Sequence, residues 1–426
     1  MDNDKRSPRK NLSETRRMWN SAHEMNSTNT LRAMESGNYS DSTDNGVTLG
    51  STTIGPTIFM RGSPTRSLRV AIILGTRPEI VKMSPIIREC QRLGLDFFIL
   101  HTGQHYSYNM DRVFFEQLNL PSPQYNLDVG QSSEGTQAMK MLDGLEKTLI
   151  KESPDIVLVE GDTNTVLAGS VAASRLGIRV GHVEAGLRSY DRSMPEEMNR
   201  VLTDHCSDYL FAPTKNSRSI LLGEGFPSEK IFVTGNTVVD ALFQNLSLSK
   251  KRVDVLQDLG LESENYFVAT IHRRENVDDE ERLKGILNGL ENVSKELGHE
   301  VVCPVHPRTR KNMETLGINS GCVKMIEPLD YLGFLRLEGE AKLVLTDSGG
   351  VQEEACILGV PCVTLRDNTE RPETLEIGSN VLAGASPERI LEKAKLMLGK
   401  DRNWLNPFGD GNAAVKIMDV LRRELE

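Results

Sequence analysis

One pattern repeats along this chain and limits how it can fold: a short run of uninterrupted apolar residues, a polar loop, then an amphipathic helix. It begins abruptly at Leu68 with LRVAIILGTRPEIVKMSPIIRECQRLG and recurs in DFFILHTGQH, PDIVLVEGDTNTVLAGSVAASRLG, RVGHVEAGLRS, DYLFAPT and KIFVTGNTVVDAL. A strand that is apolar at every position must be covered on both faces. Alternation with helices supplies that cover and makes the strands parallel. A second series starts near Tyr266 with YFVATIHRRENVDDEERLKGILNGL and continues through EVVCPVHPRTRKNMETLG, CVKMIEPLDYLGFLRLEGEA and KLVLTDSGGVQEEACILGVPCVTLRDNTERPE. At 426 residues the chain exceeds what one hydrophobic core usually serves.

The fold class is therefore α/β, with two Rossmann-like domains. Their expected spans are 68–245 and 246–388, and a last helix over 389–426 is expected to pack back on the first domain. Residues 1–67 are polar and rich in Ser, Asn and Thr, without sustained periodicity. That composition predicts a disordered extension, with a partner-binding arm around RRMWNSAHEM as the alternative.

Sixty acidic against fifty basic residues leave a net charge of -10. With no basic stripe, the chain is not expected to bind nucleic acid, whereas a local basic site for one phosphorylated ligand is compatible with this balance. No apolar run is long enough to span a membrane, and the six cysteines lack metal-ligand spacing. A cytoplasmic protein with reduced cysteines is the expectation.

In an open parallel sheet, ligands collect at the carboxyl ends of the strands, and each polar cluster of this chain stands there. GTRPEIVK sets Arg77 in a turn and Lys82 in the following helix, as ligand contacts or as solvated surface. HTGQH offers His101, Gln104 and His105, the first either structural or ligand-facing. Asp162 follows an apolar run in VEGDTNT; it suits helix capping or chemistry, and Thr163 or Asn164 would cap equally well.

GHVEAGLRSYDRSMPEEMNR adds His182, Glu184, Arg188, Asp191, Glu196, Glu197 and Arg200, with a helix starting at or near Pro195. Favourable pairing with the helix dipole accounts for Glu197, which leaves Glu196 for function. Arg200, four residues on, is expected to hold the Glu196 carboxylate.

The second series supplies the anion side. His272, Arg273 and Arg274 follow one strand, and His306 and Arg308 another. Ser348, Gly349 and Gly350 open a helix carrying Glu353 and Glu354, where small residues let backbone N–H groups approach a phosphate. Arg366, Glu370 and Arg371 lie in a loop long enough to close on a ligand. Neither a dinucleotide fingerprint nor a Walker loop is present. A nucleotide whose diphosphate lies between the domains fits the remainder.

Together GTRPEIVKM, TGQH, GDTNT, GHVEAGLRS, MPEEMNR, HRREN, PVHP, TDSGGVQEEA and RDNTERPE resemble the non-hydrolysing UDP-N-acetylglucosamine 2-epimerases, over about residues 68–424. The resemblance implies a glycosyltransferase-B-like pair of domains with a deep interdomain cleft and usually a homodimer. It also implies interconversion of UDP-N-acetylglucosamine and UDP-N-acetylmannosamine with no bound cofactor or metal. The implied route is anti elimination of UDP to 2-acetamidoglucal and syn re-addition.

By the same resemblance, Asp162, Glu184 and Glu196 match the catalytic carboxylates and His272 the essential histidine. Either Asp162 or Glu184 is then the C2 base, with Glu196 tuning or relaying protons. Arg77, Lys82 and Arg200 match positions that assist at the sugar and diphosphate. Arg273, His306, Ser348, Gly349, Gly350 and Glu354 match the UDP side, Glu354 holding the ribose, and Gln104, His105 and Arg371 complete the expected substrate contacts.

Three departures stand out: the 67-residue extension, Ser107 where bacterial members carry a glutamine of a regulatory pocket, and a GLRSYDRSMPEE stretch shorter between the glycine turn and the helix than in some bacterial relatives. Competing readings are a hydrolysing epimerase, an epimerase of a modified UDP-diacetamido sugar, a retaining glycosyltransferase and a non-catalytic UDP-sugar sensor.

Overall fold

The computed structural model describes residues 68–104, 108–130, 134–192, 194–252 and 254–425. The extension expected over 1–67, together with His105 and Ser107, lies outside them. The described residues form one compact unit built on two sheets.

The first sheet contains β1 (Arg69–Leu74), β2 (Asp96–His101), β3 (Tyr125–Asn126), β4 (Ile156–Glu160), β5 (Arg179–Val183), β6 (Tyr209–Ala212) and β7 (Ile231–Val233). Its order is β3-β2-β1-β4-β5-β6-β7, and every paired strand is parallel. The second contains β8 (Tyr266–Thr270), β9 (Glu300–Pro304), β10 (Lys324–Ile326), β11 (Leu343–Thr346), β12 (Cys362–Thr364) and β13 (Asn380–Leu382). Its order is β10-β9-β8-β11-β12-β13, again parallel throughout. In each sheet the order reverses once, between β1 and β4 and between β8 and β11. The crevice that this reversal opens at the carboxyl ends of the strands is where ligands of such sheets sit.

The unbroken apolar runs follow from two-sided burial. Val70, Ile72 and Leu74 of β1 enter one core with the Arg77–Leu93 helix, while Ala71 and Ile73 enter another on the opposite face. Fully burying each of the larger side chains contributes about 1.5–3 kcal/mol, so a polar residue inside β1 would be costly on either face. Gly75 ends the strand where a side chain cannot fit: a Cβ there would lie 2.1 Å from the Thr102 hydroxyl and 2.3 Å from that of Thr165. The Arg77–Leu93 helix contains Pro85, which has no N–H to give the Val81 carbonyl. The Ser84 hydroxyl donates to that carbonyl instead, at 2.8 Å.

Two expected boundaries differ. The helix Thr237–Arg252 runs straight through residue 245, packing against both the Arg77–Leu93 helix and the Tyr331–Gly339 helix. It buries Val238, Val239 and Leu242, so a charged C-terminal end is compatible with an inward apolar face. The last helix is two helices. Pro387–Leu398 packs on Glu280–Leu297 of the second half, and Ala413–Leu425 packs on Arg77–Leu93 and Thr237–Arg252. Between them Pro407 and the positive-φ residues Gly409 and Gly411 cannot continue a helix. Asp240 then accepts the Ala413 and Ala414 N–H groups at 3.1 and 3.0 Å, which starts the final helix.

Candidate functional site

The loop after β1 is held from below. Glu79 accepts the backbone N–H groups of Gly75 (2.5 Å) and Thr76 (3.1 Å), and also takes the Thr163 hydroxyl from the loop after β4. One carboxyl group thus ties together the loops carrying Arg77 and Asp162. Thr163 caps the Asn164–Arg175 helix, accepting from the Val166 N–H, so Asp162 is not needed as a cap.

Gln104, expected as a substrate contact, joins two loops through its Oε1. It is buried, and its Oε1 accepts from the Thr165 N–H at 3.0 Å and the Thr165 hydroxyl at 2.7 Å. His101 is likewise buried; its Nδ1 accepts from the Gly103 N–H at 3.1 Å and its ring meets Phe115 edge-on.

At the ends of β4 and β5 the acids converge on one amine. Lys82 Nζ lies 2.5 Å from Glu184 Oε2 and 3.0 Å from Glu160 Oε1. Glu160 pairs in register with Val183, so both carboxylates leave adjacent strands at the same level. Burial pushes the Glu184 carboxyl up, but Lys82 and hydrogen bonds from Glu160 and Lys82 outweigh it, and with Arg371 they pull it down to about 2. Burial, reinforced by the Glu184 charge, pushes Glu160 well up despite Lys82. Burial alone would lower Lys82; the charges of Glu160, Glu184 and Glu353 win and hold it protonated. Glu184 also has φ 71, a left-handed conformation that a non-glycine residue adopts only when its surroundings impose it.

Asp162 pairs with Arg200 across the chain. Arg200 Nη1 is 3.1 Å from Glu197, not paired with Glu196 as the four-residue spacing suggested. Glu196 is exposed on the first turn of the Pro195–Cys206 helix. Glu197 is buried and accepts the Ser189 N–H, the Ser189 hydroxyl and the Tyr190 N–H, each at 2.9 Å. Burial would raise its carboxyl, but those N–H donors hold it below the usual range. Its work is to fold the loop back on the helix, which a helix-dipole account overlooked. His182 Nδ1 donates to Asp204 at 2.7 Å, and its Nε2 stands 2.8 Å from the Gly161 carbonyl, which anchors the Asp162 loop from behind.

In the second half His272 Nδ1 donates to Asp347 at 3.0 Å. Asp347 also accepts the N–H groups of His272 and Arg273, each at 3.0 Å, and Asn276 Nδ2 at 3.1 Å. Burial would raise this carboxyl; the His272 hydrogen bond and charge outweigh it, and the Arg273 and Asn276 donors add to the lowering. The ring of His272 is thereby fixed with Nε2 available.

Ser348 caps the Gly349–Leu358 helix. Neither Gly349 nor Gly350 has positive φ, and added Cβ atoms would meet nothing nearer than 3.5 and 3.9 Å. Folding does not require these glycines, so the bare helix end they leave is suited to a close ligand. Arg273 stands beside it, its Nη2 3.9 Å from the position of a Gly349 Cβ.

On the same helix Glu353 pairs with Arg371 (3.0 Å) and accepts from Asn236 (3.2 Å). Burial lifts Glu354 to about 7 against the pull of a Glu338 hydrogen bond. His306 is exposed and its Nδ1 accepts from the Arg308 N–H at 3.2 Å, capping the Pro307–Leu316 helix.

A cavity of about 550 Å³ gathers both halves: Arg77, Lys82 and Phe114 from the first, Tyr331, Glu354 and Arg371 from the second. Gly350 lines it too, while Glu184 joins through Lys82. Glu160 and Asp347 are participants that sequence reasoning passed over, as is the pairing of Glu353 with Arg371, the latter already an expected substrate contact. Each acid had a signal: Glu160 and Asp347 close or directly follow apolar strands, and Glu353 lies five residues into the helix that Ser348 caps. Among the described residues no His, Cys, Asp and Glu cluster suits a metal, and no helix is long and apolar enough to cross a membrane.

The family model described as UDP-N-acetylglucosamine 2-epimerase matches residues 88–422. A protein of Methanococcus maripaludis bearing that same description is 54% identical over 360 residues, covering 83% of this chain and 98% of its own. A UDP-2,3-diacetamido-2,3-dideoxy-D-glucuronate 2-epimerase of Pseudomonas aeruginosa is 42% identical over 84% of this chain and 100% of its own. The crystal structure of the Methanocaldococcus jannaschii UDP-GlcNAc 2-epimerase in complex with UDP-GlcNAc and UDP superposes with a TM-score of 0.73 at 53% identity. It covers 84% of this chain and 100% of that one.

Proposed function

Since this chain belongs to the UDP-N-acetylglucosamine 2-epimerase family, we propose that it interconverts UDP-N-acetylglucosamine and UDP-N-acetylmannosamine without net hydrolysis. The C2 proton has no neighbouring ring carbonyl to acidify it, so the C1–O bond must weaken first. Its electron pair leaves with the UDP β-phosphate oxygen while a carboxylate takes the C2 proton, leaving a C1–C2 double bond. A second acid, in exchange with solvent, delivers a proton to the opposite face of C2 as UDP re-adds at C1, which gives the epimer.

Asp162 and Glu184 are the carboxylates offered to C2, and the exposed Glu196 exchanges protons with solvent. Arg77, Lys82, Arg200 and His272 stabilise the departing diphosphate. The Ser348–Gly350 helix end and Arg273 hold the phosphates, Glu354 the ribose. In the same proposal the enzyme is a cytoplasmic homodimer that takes a UDP-sugar and needs no bound cofactor or metal.

The observation that carries this reading is the cavity lined by cations of both halves, Arg77 and Lys82 from one and Arg371 from the other, with Glu184 held 2.5 Å from Lys82. Its size is that of a small-ligand site. The purified protein incubated with UDP-N-acetylglucosamine in D2O is expected to yield UDP-N-acetylmannosamine deuterated at C2, with little free UDP, by proton NMR. Accumulating UDP and free N-acetylmannosamine would replace this reading by hydrolysis. The Pseudomonas relative motivates a second substrate, a UDP-diacetamido uronic sugar; the same assay with that sugar decides between them.

A further inference from the structure

Glu160 stands at the centre of the carboxylate cluster and has no part in the chemistry described so far. It is 2% exposed, ends an otherwise apolar strand and lies 3.0 Å from the same Lys82 nitrogen that Glu184 meets at 2.5 Å. Among the described residues its Oε1 receives no hydrogen bond of good geometry. The charged groups around it are few. Lys82 reaches it from the Arg77–Leu93 helix and Glu184 from the end of β5, while Arg371 and Glu353 act on Glu184 and Lys82 from the second half. The Arg371 and Glu353 charges offset each other as an ion pair. One ammonium therefore serves two buried carboxyl groups, and a buried charge without a partner of its own is costly enough that one group keeps its proton.

The two are not equivalent. Glu160 is the more deeply buried, and Glu184 has the shorter contact with Lys82.

We propose that Glu160 is a positioning residue of this site: a neutral carboxylic acid whose O–H is directed at Glu184, keeping the Glu184 carboxylate ionised and aimed into the cavity beside Lys82. This rests on the functional reading above. The acid proton stays on Glu160 during turnover; its departure at high pH would put two negative charges against one ammonium and turn Glu184 aside.

Three measurements test this. Infrared difference spectra of the wild type minus Glu160→Gln, in the absence of substrate, are expected to show the carbonyl stretch of a protonated carboxylic acid near neutral pH. That readout does not depend on turnover, so it separates this inference from the assignment of the reaction. A carboxylate band in its place overturns the proposal. In kinetics, Glu160→Ala is expected to lose kcat by roughly 10²-fold through misplacement of Glu184, with little change in KM. Glu160→Gln, which keeps a neutral donor, restores most of that loss. The wild type loses kcat as pH rises through the Glu160 ionisation, and that alkaline limb is absent in Glu160→Gln. A Gln variant as impaired as the Ala variant, or one that retains the limb, overturns the assignment.

Discussion

Asp162 shows at the scale of one residue how pairing separates binding from chemistry. Its carboxylate is held by Arg200, and Thr163 performs the capping for which Asp162 is also suited. Asp162→Asn keeps the size and the site but removes the proton acceptor. It is expected to retain UDP binding within a few-fold and to lose roughly 10²–10⁴-fold in kcat, measured by UDP titration and by steady-state kinetics. Normal turnover would remove Asp162 from the mechanism. The neighbouring acids show what residue type alone cannot say. Glu196 and Glu197 are adjacent, yet one is exposed and the other folds a loop. Which of two such side chains turns inward depends on the loop the helix must meet, here the Ser189–Tyr190 segment whose N–H groups Glu197 accepts.

Among the elements, the two glycine turns look alike in sequence and differ in what they require. Gly75 is demanded by packing, since a Cβ would strike two threonine hydroxyls, whereas Gly349 has ordinary space around it. Gly75→Ala is therefore expected to destabilise the fold by about 1–3 kcal/mol. Gly349→Ala is expected to leave thermal stability near that of the wild type while weakening UDP binding. Each hydrogen bond to a charged phosphate is worth about 1.5–3 kcal/mol, so losing one would cost roughly 10–100-fold in Kd. Thermal melts and UDP calorimetry on the pair read both effects. A Gly349→Ala protein that binds UDP normally would end the phosphate role of that turn.

For the whole molecule, the chain's last segment returns to its beginning. Ile417, Met418 and Leu421 of the final helix are fully buried in the core that also holds Val70, Ile72 and Leu74. Leu421→Ala, far from the cavity, is expected to cost about 2–5 kcal/mol in urea denaturation, as a truncated core leucine does elsewhere. A cost below ~1 kcal/mol would mean that this helix is dispensable to the core. The Thr237–Arg252 helix packs on both halves, so it belongs to neither span that a boundary at residue 245 would separate.

Local pattern was enough to read the doubly wound layout, because a strand buried on two faces must be apolar throughout and a crossover helix must be amphipathic. The runs at β1, β4, β8 and β11, and the polar loops after them, are legible for that reason. The positions of Asp162, Glu184, His272 and the Ser-Gly-Gly turn at strand ends follow from the same rule. What tertiary structure decided is which of these groups meet. Lys82 binding both Glu160 and Glu184, Arg200 choosing Asp162, Asp347 fixing His272 and Gln104 turning to Thr165 join residues far apart in sequence or on different elements. A charge in sequence has a type but no distance, and both hydrogen bonding and the cost of burying that charge are set by distance and surroundings.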